Sequence, residues 1–156
     1  VTKFRVDYTG AITATGTIGT VAAGDAAAGS VGEYVNSLVA SGSAVGLSNG
    51  TDGNVTSISL TAGDWDVTGA VNFVSAAATV TQKSAGITVT SATIPTDGSE
   101  VFNGSQTTTA SFTDGITLPV KRINVSSTTT VYLVGKVAFS AGSVSAFGTI
   151  NARRVR

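Results

Sequence analysis

The chain contains no histidine, no cysteine and no methionine. Without imidazole there is no Ser-His-Asp triad, no histidine general base and no His-ligated zinc. Without thiols, thiolate catalysis, cysteine-zinc centres and disulfides are excluded as well. Charged residues are only 12% of the 156 positions, where an ordinary domain carries roughly 25%. Nine basic residues balance nine acidic ones, for a net charge of zero. A general nucleic-acid binder carries a basic excess, so nucleic acid is not an expected partner. No apolar run approaches the ~20 residues of a membrane span, and no signal-peptide pattern is visible. Membrane insertion is therefore not expected. The chain opens on Val1, which reads as a processed product or a fragment of something longer.

What is present is β-branched. With 21 Val, 8 Ile and 25 Thr, 54 of 156 residues are of this kind, against 5 Leu and few Glu, Lys, Gln or Arg. Such side chains lose rotamer freedom in helices and suit a pleated, half-buried surface. A helical bundle is excluded and an all-β domain expected. Turns are well supplied by 19 Gly and 18 Ser, with 2 Pro. Low charge also leaves edge strands without their usual lysine or proline protection. Composition thus points to edges and apolar faces covered by other chains, an obligate oligomer.

Three regions follow along the chain. In residues 1–24, Phe4, Val6 and Tyr8 alternate with Lys3, Arg5 and Asp7 before a Thr9-Gly10 turn signal. This reads as two very short strands, an attachment or shaft segment too small to close a core alone. Residues 25–45 read as a linker and neck with a short helix. Val31, Val35, Leu38 and Val39 share one helical face, with Ser30 and Glu33 in capping-box positions and Gly42 as a stop.

Residues 46–156 read as strand, turn, strand to the end, a β-sandwich head. Trp65, Val67, Val71 and Phe73 alternate with polar neighbours, a strand with one buried face. Val131, Leu133, Val137 and Phe139 form a second, with Tyr132 and Val134 opposite. Apolar residues on both faces of that strand call for cover by a second sheet or a neighbouring chain. Pro119 suggests an edge or irregular position in the strand around Ile116, Leu118 and Val120. Asp52, Asp97 and Asp114 each precede glycine and read as turn residues. About eight strands at short spacing fit a two-sheet antiparallel sandwich or jelly roll.

The segment Ser57-Ile58-Ser59-Leu60-Thr61-Ala62-Gly63-Asp64-Trp65-Asp66-Val67-Thr68-Gly69 resembles a hairpin of trimeric jelly-roll heads, the tumour-necrosis-factor-like and complement-head-like domains. The tail from Val131-Tyr132-Leu133-Val134 to Asn151-Ala152-Arg153-Arg154-Val155-Arg156 is similar to the ending of bacteriophage fibre and head-fibre proteins. The opening Phe4-Arg5-Val6-Asp7-Tyr8-Thr9-Gly10 resembles segments that attach such heads to a phage structural protein. The resemblance implies a homotrimer and a virion location on tail or capsid. It also implies attachment to another phage structural protein through residues 1–24, and contact with a host-surface glycan or protein. A capsid decoration or cement protein without a receptor role is the alternative.

Asp64 and Asp66, two apart in a strand, share one face at roughly 7 Å. Paired carboxylates are the equipment of glycoside hydrolysis, so a small glycan-cleaving tip is the enzymatic alternative. A turn role after Gly63 is the plainer reading, and neither aspartate has a context that promises burial. Arg153, Arg154 and Arg156, with Lys121-Arg122, offer anion or subunit contacts; alternation sets Arg154 and Arg156 on one face and Arg153 on the other. Tyr132 is a candidate subunit contact. Trp65, in phase with Val67, Val71 and Phe73, is expected as a core anchor rather than a sugar platform. No catalytic residue, no metal site and no cofactor is expected, so the chain reads as a non-enzymatic structural protein.

Overall fold

The structure, a computed structural model, describes residues 24–103 and 111–156. The attachment segment expected in residues 1–24 lies outside the described residues except for Gly24. The β-branched composition is realised as nine strands, with no α-helix among the described residues. They are β1 (Tyr34–Val39), β2 (Val45–Leu47), β3 (Gly53–Leu60), β4 (Gly63–Ala76) and β5 (Thr79–Thr88). The chain continues through β6 (Val101–Asn103), β7 (Phe112–Val125), β8 (Thr129–Ser140) and β9 (Ser143–Arg154).

Two antiparallel sheets pack as a sandwich. The first has the order β1-β9-β4-β7, with β2 also paired to β9; the second has the order β3-β8-β5-β6. The pairing is nested: β5 with β6, β4 with β7, β3 with β8, and β1 and β2 with β9. Period-2 alternation along β4 turns Trp65, Val67, Val71 and Phe73 inward, and all four are fully buried. Leu60, Ile87, Val131 and Leu133 bury their side chains in the same core from the second sheet. Burying a side chain of this size contributes about 1.5–3 kcal/mol, which is what keeps a sheet of such low charge closed.

Several expectations need correction. The helix over residues 25–45 does not form: Tyr34–Val39 is strand β1, paired along its length with Gly148–Arg153 of β9. The same six residues alternate as well as they spiral. As a strand they turn Val35 toward the core while Leu38 stays exposed. Pairing with β9 supplies backbone hydrogen bonds that a marginal three-turn helix would have made alone. The segment is therefore part of the first sheet rather than a helical neck.

The cover over β8 is also different from that expected. Val134 lies opposite the core-facing Leu133 yet is fully buried. It pairs with Gly86, above which Ile94 and Pro95 of the β5–β6 connection sit close. That face is thus covered by the chain's own connection. A Cβ on Gly86 would come 2.5 Å from Pro95 Cδ, so glycine here is the space that lets the connection lie down. Asp114, expected in a turn, stands inside the fourteen-residue strand β7. Asp97 does accept a turn hydrogen bond, from Ser99 N–H at 3.1 Å. Pro119 lies on β7, the edge of the first sheet, beside a register shift opposite Val67–Gly69.

Candidate functional site

The densest group of charges gathers where β4 begins and β7 and β9 end. Its first centre is Arg154, an inward residue of β9 that is 5% exposed. Arg154 Nε donates to Glu33 Oε2 at 2.8 Å, Nη1 to the Ala62 carbonyl at 2.7 Å, and Nη2 to Thr61 Oγ1 at 2.5 Å. Its guanidinium lies 4.3 Å from the centre of the Trp65 ring, a cation–π arrangement. Gly63 makes room for it: a Cβ there would be 1.8 Å from Arg154 Nη1. Glu33 also accepts from Gly29 N–H at 2.7 Å. The hydrogen bond from Arg154 is the leading reason its carboxyl titrates below the ordinary range, with Gly29 N–H adding to it.

The second centre is Asp64, which burial leaves 4% exposed, contrary to the expectation from its glycine neighbour. Arg122 reaches it with two nitrogens, Nε and, at 2.6 Å, Nη2. Arg156 Nε adds a third bond at 2.8 Å. The hydrogen bonds from Arg122 are the main cause holding the Asp64 carboxyl at about 2, against the pull of burial, with Arg156 second among the favourable partners. Arg122 Nη1 continues to Asp66 at 3.2 Å. The two aspartates therefore share one guanidinium. Backbone bonds tie the same place, from Val155 N to the Asp64 carbonyl at 2.9 Å and from Arg154 N to the Glu33 carbonyl at 2.9 Å.

The arginines proposed as one patch are thus divided by their roles. Arg154 faces inward, Arg156 binds Asp64 although its side chain is largely exposed, and Arg153 lies exposed on the other face of β9. Lys121 leaves the group altogether and reaches the second sheet, donating to the Ile87 carbonyl at 3.0 Å and to Asp97 and Ser99 at 2.9 Å each. The bonds from Ser99 and Lys121 hold the Asp97 carboxyl well below the usual range. Trp65 is fully buried with Nε1 donating to the Thr61 carbonyl at 3.0 Å. No face of it is left for a sugar. Tyr132 is half-buried, in register between Ser57 and Thr88 on the outside of the second sheet.

A further charged contact was not singled out in the sequence. Lys83 on β5 points inward, 1% exposed, and pairs with Asp114 of β7 across the sandwich. Its Nζ lies 5.1 Å from the centre of the Phe112 ring. The alternation of β5 would have placed Lys83 on the face of Ala85 and Ile87, and that was the available signal. Among the described residues no group of three or more acidic side chains is arranged to hold a metal ion. No helix among them is long and apolar enough to cross a membrane. No protein-family model matches the chain, and no curated protein and no solved structure matches it.

Proposed function

We propose that the chain is a non-enzymatic virion surface protein, a jelly-roll head of a phage fibre or capsid fibre that assembles as a homotrimer. Nested pairing of β5–β6, β4–β7, β3–β8 and β1/β2–β9 is the wrapping expected of a jelly roll. The observation that carries the reading is the outer face of the first sheet. One row across its four strands is Leu38, Thr149, Ala70 and Thr117, and the next holds Phe147, Asn72 and Gly115. Charges stand aside at one end, where Arg153, Asp66 and Arg122 line up. Leu38 is 69% exposed in the single chain. A broad uncharged face of this kind suits burial against copies of itself.

The ion pairing of the two aspartates supports the non-enzymatic reading over a glycan-cleaving tip. Glycoside hydrolysis uses one carboxyl kept protonated near neutral pH. Asp64 is held as a carboxylate, and both aspartates are engaged by Arg122. Attachment to a particle through residues 1–24, contact with a host glycan or protein, and a capsid rather than a tail position belong to the same proposal. Light scattering at micromolar concentration should return three times the 15.4 kDa chain mass. Leu38→Asp should lower that mass to one chain while the melting temperature of the separated chain hardly moves. A wild-type monomer would refute the trimer. Sugar release from host polysaccharide that Asp64→Asn abolishes would refute the non-enzymatic reading.

A further inference from the structure

We infer that Lys83 and Asp114 are joined by an intramolecular amide, a covalent cross-link between the two sheets. The inference stands apart from the virion reading and needs no second chain.

A lysine is almost never fully buried unless it is paired. Lys83 is 1% exposed, and among the described residues its one hydrogen-bond partner is Asp114. An ammonium has three protons to place; the face of Phe112 offers the rest of the cation only an aromatic surface. Arg154 shows how differently this chain treats a buried cation that stays charged, with oxygens on three of its nitrogens. Lys83 carries the desolvation cost of its charge against one carboxylate that is itself 34% exposed.

Condensation removes that cost. Within the pair a proton passes from Nζ to the carboxylate, leaving a neutral amine and a carboxylic acid. The Nζ lone pair attacks Asp114 Cγ, the Nζ–Cγ bond forms, and the Cγ–Oδ bond breaks. The departing oxygen carries off two of the three ammonium protons as water. The third stays on the amide nitrogen, so charge and atoms balance with no co-reactant. In free solution water would favour the reverse reaction. Here β5 and β7 hold the two groups in contact, and such positioning can be worth an effective concentration of about 10⁵ M or more. The Asp114 side chain is 34% exposed, which gives the water a way out.

The test is the mass of the full folded chain, measured after denaturation, followed by peptide mapping. The expected spectrum is dominated by a species one water lighter than the sequence. Its digest contains a branched peptide linking Lys83 to Asp114. Asp114 precedes Gly115, and Asp-Gly steps also lose water by closing to a succinimide, so the branch is the deciding signal. Lys83→Arg keeps the cation but cannot form the amide, and it should restore the full sequence mass. A wild-type chain at full mass, a loss of water without the branched peptide, or the same loss in Lys83→Arg would each overturn the cross-link.

Discussion

Arg154 and Lys83 are both basic side chains buried in one sandwich, and they are handled in opposite ways. Arg154 sits at the end of the first sheet, with Glu33, Ala62, Thr61 and the Trp65 ring around it. Lys83 sits between the sheets and, among the described residues, meets one carboxylate and one ring. The planar fork of arginine allows several fixed bonds at once, and that makes a pin for three chain segments. The point charge of lysine, among the described residues, meets a single carboxylate. The difference teaches that burial alone does not define a role for a charged side chain; the number and geometry of its partners do.

Removing the pin should have the largest effect. Arg154→Ala strands the Glu33 carboxylate and uncovers Trp65, and should lower unfolding stability by about 3 kcal/mol or more. Chemical denaturation would read this as a lower midpoint. Arg154→Lys should recover only part of the loss, because a single ammonium cannot replace three directed nitrogens. Full recovery by lysine would erase the contrast between the two sites.

Crowding the pin is the next expected effect. Gly63→Ala places a methyl group where Arg154 Nη1 lies. The guanidinium must shift off Thr61 and Ala62, at a cost of about 1–3 kcal/mol. Pairing Gly63→Ala with Arg154→Ala should then cost clearly less than the sum of the two, since the second change removes what the first displaces.

Acid should act on the charged end before it acts elsewhere. Asp64 titrates at about 2 in the folded chain, below its ordinary value of 3.8. Its contribution to stability is complete above the unfolded value and is lost as pH falls from about 4 through 2. Asp64→Asn should flatten that part of the stability-against-pH curve, and an unchanged acid limb would show that Arg122 and Arg156 do not hold the carboxylate. The smallest expected effect is at the opposite edge of the sandwich, where the Ser37 and Thr56 hydroxyls share a hydrogen bond at 2.6 Å between β1 and β3. Thr56→Val should cost about 1 kcal/mol or less, read as a small shift in melting temperature.

The long strands were legible in the sequence because one rule governs them. Trp65, Val67, Val71 and Phe73 alternate with polar residues over a stretch too long for a helical pattern to imitate. Tyr34–Val39 is short enough that periods of 2 and 3.6 fit it equally, and the Ser30–Glu33 spacing tipped the reading the wrong way. Glu33 does satisfy an upstream backbone N–H, that of Gly29, but in a turn rather than at a helix start. Partners far apart in sequence were not legible. Arg122 and Asp64 are 58 residues apart, and Lys83 and Asp114 are 31 apart on different sheets. Their meeting depends on register and on a shift near Val67, neither of which leaves a local signal. The glycine after Asp114 suggested a turn for the same reason, since a paired strand overrides that local preference.

The place of β9 has a consequence for how the protein is made. It is synthesised after the other eight described strands, yet it pairs with β1, β2 and β4 in the middle of the first sheet. Until the ribosome has delivered it, β1 has no strand to pair with, and β4 can pair only with β7. The second sheet can close first, with part of its apolar face uncovered. Long-range pairing of this kind makes folding slow and leaves partly built chains open to aggregation. A stalled or truncated nascent chain lacking β9 should therefore be held by chaperones, whereas delivery of β9 completes the first sheet in one late step.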